Sequence, residues 1–245
     1  MATENLKLTM KTKSRGEFQT GRVITIFGAH FIHDTYTAFV APLLPLIIEK
    51  LSLTLTMAGS LTAFMQLPAI INPFIGYLAD KINLRYFVIF APAVTATLIS
   101  SLGIASNYTS LAVLFFLTGI SVAAFHAPAP AMVSRISGNR IGKGMSFFMA
   151  GGELGRTLGP LLAVWAVSMW TLDGFFRVTV LGWGASLILF WRLKNVAGKP
   201  EKSGSVRGIL PKIKTFFLPL SIVVFLRQFI QVGLSTYLPT FLNQE

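Results

Sequence analysis

The sequence contains no cysteine, which excludes disulfide bonds and thiolate metal sites. Only three of its 245 residues are histidine, and only nine are acidic, against 21 lysine and arginine residues. Charged residues make up 12% of the chain, about half the proportion that soluble domains carry. Hydrophobic residues make up 53%, and the mean hydropathy is +0.66. This composition predicts an integral membrane protein.

The net charge of +12 does not indicate a nucleic-acid partner, because the basic residues are gathered in short segments between long apolar runs. The three histidines lack the spacing of a zinc site such as H-E-x-x-H. The glycine run Gly151–Gly155 lies within a helical pattern and does not follow a strand, so it is not a nucleotide-binding loop. We therefore expect no enzyme activity, no metal, no cofactor and no nucleic-acid partner.

Seven segments are apolar over the ~20 residues that a helix needs to cross a bilayer. Backbone polar groups in hydrocarbon must be satisfied within their own segment, so each run is predicted to be helical. The first run is too long for the apolar core of a signal peptide, which has about 7–15 residues. The predicted fold class is all-α integral membrane. The predicted helices, called helix one to helix seven, are Val23–Ile48, Met57–Ala79, Tyr86–Ala105, Ser110–Val133, Met145–Trp170, Phe175–Lys194 and Phe216–Leu242.

The distribution of lysine and arginine predicts the orientation of these helices. Seventeen of the 21 basic residues lie in the N-terminal tail and in every second connection, whereas the alternate connections hold only Lys50 and Arg177. Cytoplasmic segments carry such an excess, so residues 1–22 are predicted to be a cytoplasmic tail. We expect the chain to lie in the plasma (inner) membrane.

The connection between helix six and helix seven differs from the others because it is polar, basic and rich in glycine, serine and proline. Residues 195–215 are therefore predicted to be a cytoplasmic linker between two bundles. Residues 23–194 would form a complete six-helix bundle, and residues 216–245 would supply helix seven, the start of a second bundle. We expect the rest of that C-terminal bundle to be a partner of this chain.

Helix one carries ionisable residues on one stripe: His30, His33, Asp34 and Thr37 are spaced i, i+3, i+4 and i+7. A charge at the centre of the bilayer costs about 2.5–3.5 kcal/mol even on a lenient scale, so the stripe should face a water-filled cavity. Imidazole titrates near physiological pH, and Asp34 with His30 one turn away can share or pass a proton. The alternative is a structural hydrogen bond between two helices.

Helix four carries His126 just before Pro128. A proline inside a helix frees a carbonyl group, which His126 can bind locally. The alternative is that His126 lies opposite the stripe of helix one and takes part in proton coupling.

Helix five carries Gly151, Gly155 and Gly159 at every fourth position, a pattern typical of close helix packing. Glu153 and Arg156 lie three residues apart on another face. They are predicted to form an ion pair, either purely structural or opened by substrate or proton in a central cavity.

Three further polar residues are candidates for the substrate cavity: Gln66 of helix two, and Arg227 and Gln231 of helix seven. Arg227 and Gln231 share one helical face and can bind an anionic group of a substrate. The alternative for these two is contact with helices outside this chain.

The stretch GYLADKINLRYF, Gly76 to Phe87, resembles the short basic loop between the second and third helices of the major facilitator superfamily. The matching residues are Gly76, Leu78, Asp80, Lys81 and Arg85. The resemblance implies that this loop latches one conformational state. Independently of the resemblance, Gly76 is predicted to allow close approach of a neighbouring helix.

A narrower resemblance covers residues 28 to about 192. The series AHFIHD, FHAPAP and GGELGRTLGP resembles the fosmidomycin-resistance-type exporters of that superfamily, although Ala127 here separates His126 from Pro128. The core from Gly155 to Pro160 also resembles the helix-five motif of antiporters. The resemblance implies a six-helix major-facilitator N-terminal bundle and a proton-driven exporter of a small molecule. The alternatives are an importer or uniporter of a small anion or sugar, and a membrane fragment or scaffold that does not transport.

Overall fold

The computed structural model describes residues 16–81, 85–195 and 218–242. The predicted tail lies mostly outside these residues, and so does the predicted linker. All seven predicted helices are helical in the part that is described. We number the α-helices in chain order: α1 Thr20–Ala38, α2 Val40–Leu51, α3 Leu55–Gln66, α4 Asn72–Lys81, α5 Arg85–Ser100, α6 Tyr108–His126, α7 Ala129–Ile136, α8 Ile141–Trp170, α9 Thr179–Leu193 and α10 Leu218–Leu242.

Three of the predicted helices are interrupted. Helix one divides into α1 and α2 at Phe39, three residues before Pro42, whose nitrogen carries no hydrogen for the helical bond to residue 38. Helix two contains the 3₁₀ turn Leu67–Ile71, which holds Pro68, and helix four divides into α6 and α7 around Pro128. Helix one begins at Thr20, three residues before the predicted start of the helix at Val23.

Five helical stretches of the described residues are long and apolar enough to cross a membrane. They are Thr20–Leu51, Leu55–Leu78, Arg85–Ile104, Tyr108–Ile136 and Asp173–Leu193. The helices α8 and α10, with 30 and 25 residues, are long enough but are not among these five. The described residues outside the helices form turns and short connections, and none of them is in a strand.

The bundle is organised around two helix pairs. α1 packs along α8 in the most extensive contact, and α5 packs along α9. α6 lies against α5 and α3, while α10 contacts α2 and α3. Two apolar clusters fill the interior, one around Ile26, Ile89 and Phe148, the other around Tyr36 and Phe115. Along α1, the ionisable residues His30, His33 and Asp34 come after Ile26 of the first cluster and before Tyr36 of the second.

Candidate functional site

The carboxylate of Asp34 joins three helices. Its side chain, in α1, is about 2% exposed. Oδ1 lies 3.1 Å from Nε2 of His126 at the end of α6, and Oδ2 lies 3.2 Å from Nη1 of Arg156 in α8. Nε2 of His30 is 3.3 Å from Oδ2. One buried anion therefore faces two imidazoles and a guanidinium.

His30 is held in one orientation by α8. Its Nδ1 lies 2.7 Å from the carbonyl oxygen of Phe148, and its ring stacks on the Phe148 ring with the centres 4.0 Å apart. A carbonyl oxygen can only accept, so Nδ1 carries the hydrogen. Nε2 is left facing Asp34 at ion-pair distance, but without the alignment of a hydrogen bond.

His126 is the last residue of α6, which ends there because Ala127 and Pro128 interrupt the helix. The structure places His126 opposite the stripe of helix one, because its imidazole donates from Nε2 to Oδ1 of Asp34 across the helix interface. Its part in proton coupling stays a prediction. About a third of the side chain is exposed, so His126 connects the buried carboxylate with the surface of the described bundle.

His33 is completely buried, with its ring stacked on Phe125 at 4.3 Å between centres. The ring of His126 stands nearly perpendicular to it, with the centres 5.4 Å apart. Neither ring nitrogen of His33 has a hydrogen-bond partner among the described residues. Burying a polar group without a partner costs about 1–3 kcal/mol, so His33 lowers the stability of the folded protein.

Arg156 also binds the second acidic residue of the site. Its Nη2 lies 2.9 Å from Oε1 of Glu153, so the predicted ion pair within this helix is present. The side chains of Arg156 and Glu153 are 39% and 62% exposed, whereas that of Asp34 is buried. The guanidinium therefore bridges a buried carboxylate and an exposed one. Sequence reasoning missed its contact with Asp34, since only the packing of α8 on α1 brings the two together.

The glycines of helix five form the predicted packing seam, and its partner is α1. A Cβ atom added at Gly151 would come within 2.5 Å of the carbonyl oxygen of Phe27, and one at Gly159 within 2.8 Å of the Ala38 Cβ. Gly155 has the backbone of α1 equally close. α8 continues unbroken through Pro160. The seam thus lets the backbones of α1 and α8 approach more closely than larger residues would permit.

Gly152 is a site residue that sequence reasoning missed. A Cβ atom there would be 2.6 Å from Cε1 and Nε2 of His30 and 2.9 Å from Oδ2 of Asp34. The absence of a side chain at this position leaves room for the pair. The signal in the sequence is the Gly151–Gly152 doublet, since only one glycine of the doublet belongs to the four-residue repeat.

The expectation that the whole stripe of α1 faces a water-filled cavity is wrong for this structure. His30, His33 and Asp34 are buried against α6 and α8. His126 hydrogen-bonds to Oδ1 of Asp34, and His30 and Arg156 lie at ion-pair distance from Oδ2. Charged and polar groups therefore surround the buried carboxylate. We call His30, His33, Asp34, His126 and Arg156 the polar cluster. Within it, only the side chains of His126 and Arg156 are partly exposed. Three surface grooves of about 410–650 Å³ lie elsewhere on the described bundle.

The remaining cavity candidates are not part of the cluster. The hydroxyl of Thr37 donates to the Asp34 carbonyl oxygen at 3.0 Å, so it binds the backbone of its own helix. Gln66 is exposed at the end of α3. Arg227 and Gln231 are exposed on α10, whose packing is against α2 and α3. Their roles in substrate binding stay predictions.

The predicted latch segment is described only in part. Asp80 and Lys81 end α4, and their side chains lie outside what the structure describes, as do residues 82–84. The guanidinium of Arg85 lies over the ring of Tyr86, 4.9 Å from its centre. The close helix approach expected at Gly76 is wrong within the described residues, because a Cβ atom there would meet nothing within 4 Å. α4 packs mainly on the 3₁₀ turn before it and on α6, so Gly76 is left without a close neighbour.

Three of the cluster residues have the composition of a metal site. Ligand atoms of His30, Asp34 and His126 lie within 4.8 Å of one another. However, the guanidinium of Arg156 already occupies Oδ2 of Asp34, and its positive charge opposes a divalent cation at that position. The arrangement therefore disfavours a metal ion at these ligand atoms.

Comparison with known proteins gives two curated relatives, each 24% identical to this chain. The fosmidomycin resistance protein of Escherichia coli matches over 96% of this chain and 59% of its own length. The uncharacterized MFS-type transporter YfnC of Bacillus subtilis matches over 78% of this chain and 50% of its own length. The chain thus spans about half to three-fifths of the length of these relatives.

Crystal structures of the peptide transporter POT have a similar fold. A mutant in complex with sulfate gives a TM-score of 0.62 at 20% identity, covering 94% of this chain and 50% of that one. At this identity the likeness concerns the fold alone. The sequence profile of the Major Facilitator Superfamily matches residues 26–245. The resemblance inferred from the loop sequence is therefore confirmed, and the chain belongs to the Major Facilitator Superfamily, as a multi-pass member of a family of membrane transporters rather than an enzyme.

Proposed function

We propose that this chain acts in proton-coupled export of a small molecule by alternating access, with Asp34 and His30 as the proton-binding pair and His126 as their link to solvent. The observation that carries the proposal is the contact of Asp34 with α6 and α8. His33 belongs to the same coupling cluster. The proton and the small-molecule substrate would then be the two species that move.

The geometry of His30 supports a stored proton. Its Nδ1 hydrogen is committed to Phe148, so a neutral His30 would direct the lone pair of Nε2 at Asp34. Facing an ionised carboxylate at 3.3 Å, that lone pair is repelled. One proton between the two groups, on either of them, turns the contact into an attraction.

Protonation of Asp34 would loosen the interface between α1 and α8. The Arg156 contact with Asp34 spans the glycine seam, where little side-chain bulk opposes sliding. A neutral carboxyl group holds a guanidinium far less strongly than a carboxylate does, so the charge of Asp34 sets how firmly the two helices are joined. Such a two-state interface is what alternating access between bundles requires.

The sequence and the relatives support the proposed direction of transport and the proposed location in the plasma membrane. The relative from E. coli is named for resistance to fosmidomycin, which favours export. Seventeen basic residues on one side against two on the other favour a cytoplasmic N-terminus and a plasma membrane location. Residues 195–215 would link the six-helix bundle of residues 23–194 to α10, and the segment of Gly76, Asp80, Lys81 and Arg85 would latch one state. Glu153, Arg156, Thr37, Gln66, Arg227 and Gln231 stay the substrate candidates.

The test is transport by the purified protein in proteoliposomes under an imposed pH gradient. Fosmidomycin is the first probe, followed by a panel of small anions and sugars. We expect a probe to accumulate against its gradient while a dye reports proton movement in the opposite direction. Asp34→Asn should abolish both movements, because an amide cannot exchange a proton in this range. Thr118→Val, which removes another buried polar group of the bundle, is the control and should retain both.

Two outcomes would contradict the proposal. Probe movement down its own gradient without proton movement would indicate a uniporter. Accumulation by Asp34→Asn equal to that of the unmodified protein would remove Asp34 from the coupling reaction.

A further inference from the structure

The cluster contains one ionisable residue for which the proposed function has no specific task. His33 has no exposed surface, and neither of its ring nitrogens has a hydrogen-bond partner among the described residues. Its two helix neighbours, His30 and Asp34, both contact other groups. An unpartnered imidazole costs stability at this position, so a role in another state of the protein would explain why the cluster accommodates it.

The ring of His126 is a partly exposed polar group beside His33. It stands 5.1 Å from the ring of His30 and 5.4 Å from that of His33, between centres, at interplanar angles of 72° and 68°. The two rings are neighbours, and rotation of His126 about its side-chain torsions is the motion that a hydrogen bond between them would require. His126 is also the partly exposed member of the three, so its ring has room to turn.

We infer that His126 is a proton shuttle with two docking positions, Asp34 and His33. This inference rests on the proposed function and specifies the path of the proton. In the first position the His126 imidazolium gives its Nε2 proton to Oδ1 of Asp34. The N–H bond breaks, its electron pair stays on Nε2, and an O–H bond forms. In the second position the neutral ring of His126 accepts a hydrogen bond from the ring N–H of His33.

The second position prevents the proton from returning by the route it entered. When His126 docks on His33, the newly protonated Asp34 loses its contact with the exposed imidazole. Asp34 then keeps its proton, and its neutral carboxyl group attracts Arg156 only weakly. In this state α1 and α8 can slide against each other. The titratable and charged groups facing His126 are His30, His33 and Asp34 on α1, and Arg156 with Glu153 behind it on α8.

The three histidines of this sequence make the inference directly observable. Selective ¹⁵N-histidine labelling of the purified protein reports the protonation and hydrogen bonding of each ring nitrogen by NMR, and single His→Gln variants assign the signals. Asp34→Asn mimics the neutral carboxyl group. We expect this variant to shift a ring nitrogen of His33 to the position of a hydrogen-bonded one, and to lose that shift when His126→Gln is added. In the unmodified protein the His33 signal should shift with the same pH midpoint as that of His126.

A transport measurement tests the same point with another readout. His33→Phe keeps the stacking on Phe125 but removes both nitrogens. We expect proton-driven accumulation to fall about tenfold or more, the scale on which positioned acid–base groups act. Ser100→Ala is the matched control, because Ser100 is buried in α5 with its hydroxyl likewise unpartnered among the described residues, and it should retain the pH profile.

The outcomes separate the shuttle from the proposed function. If Asp34→Asn abolishes proton-driven accumulation while the His33 signals are the same in both proteins at every pH, the shuttle is wrong and the proton coupling stands. If Asp34→Asn leaves accumulation unchanged, the coupling itself is wrong. Should His33→Phe fail to fold, the NMR comparison of the unmodified protein across pH still decides, since an invariant His33 signal overturns the shuttle.

Discussion

Arg156 of α8 and Asp34 of α1 form an ion pair, Nη1 to Oδ2 at 3.2 Å, across the seam where Gly151, Gly155 and Gly159 bring the two helices together. Together with the hydrogen bond from His30 to the carbonyl oxygen of Phe148, the pair links α1 to α8 through polar groups. Its strength depends on the charge of a carboxylate that can take up a proton. The functional account of this chain follows from that relationship.

The ion pair between Arg156 and Asp34 should contribute more to stability than the exposed ion pair between Arg156 and Glu153. Arg156→Gln leaves the buried Oδ2 of Asp34 without its ion-pair partner, and leaving a buried polar group without a partner costs about 1–3 kcal/mol. Glu153→Gln removes only the exposed pair, for which we expect at most about 1 kcal/mol. Thermal unfolding of the detergent-solubilised variants checks the order. Equal midpoints for the two variants would show that Asp34 does not depend on Arg156.

Gly152 should tolerate no side chain. Gly152→Ala places a Cβ atom 2.6 Å from His30, and overpacking of this kind costs about 1–3 kcal/mol. The control is Gly142→Ala on the same helix, where an added Cβ meets nothing within 4 Å. There we expect unchanged or higher stability, because alanine favours a helix by up to about 1 kcal/mol over glycine. A Gly152→Ala variant at least as stable as the unmodified protein would contradict this account of Gly152.

Hydrogen bonds of the Tyr36 hydroxyl should stabilise the packing of α1 on α9. The buried hydroxyl donates to the carbonyl oxygen of Val178 and accepts from the amide of Gly182 at 3.2 Å. Tyr36→Phe leaves both groups without this partner, which predicts a loss of about 1–3 kcal/mol. Tyr108→Phe is the control, because its partner Ser60 also donates to the Met57 carbonyl oxygen. Equal denaturation midpoints for Tyr36→Phe and Tyr108→Phe would contradict the prediction.

The absence of cysteine allows a direct test of orientation. Ser106→Cys lies exposed between α5 and α6, and Asn139→Cys lies exposed between α7 and α8. With a cytoplasmic N-terminus, a membrane-impermeant maleimide added to intact cells should label the first variant at once and the second only after permeabilisation. The opposite pattern would invert the proposed topology.

The sequence predicted the parts of this site that depend on local spacing. The stripe of His30, His33 and Asp34 follows from helical periodicity, and so does the glycine seam of α8. The contact between Asp34 and Arg156 depends on which face of α8 meets α1, a property of tertiary packing that one helix does not encode. For the same reason the burial of the stripe was missed, because α6 and α8 cover residues that seemed, from α1 alone, to require water.

The interruptions of the predicted helices have local causes, although each apolar run is predicted from the sequence as one continuous helix. The break after His126 lies beside Pro128, and the 3₁₀ turn of helix two contains Pro68. The close approach expected at Gly76 failed because a glycine permits contact only where a neighbouring helix lies, and α4 packs on few elements of the described bundle.

The most direct test of the central claim is the proton count on substrate binding. A pH dye in weakly buffered detergent solution should show that a transported probe changes the bound protons by about one per protein, as linkage between the two ligands requires. Asp34→Asn should show no change in bound protons, while Thr118→Val should show the same change as the unmodified protein. An equal proton change in Asp34→Asn would contradict the account, because the coupled proton would then reside elsewhere.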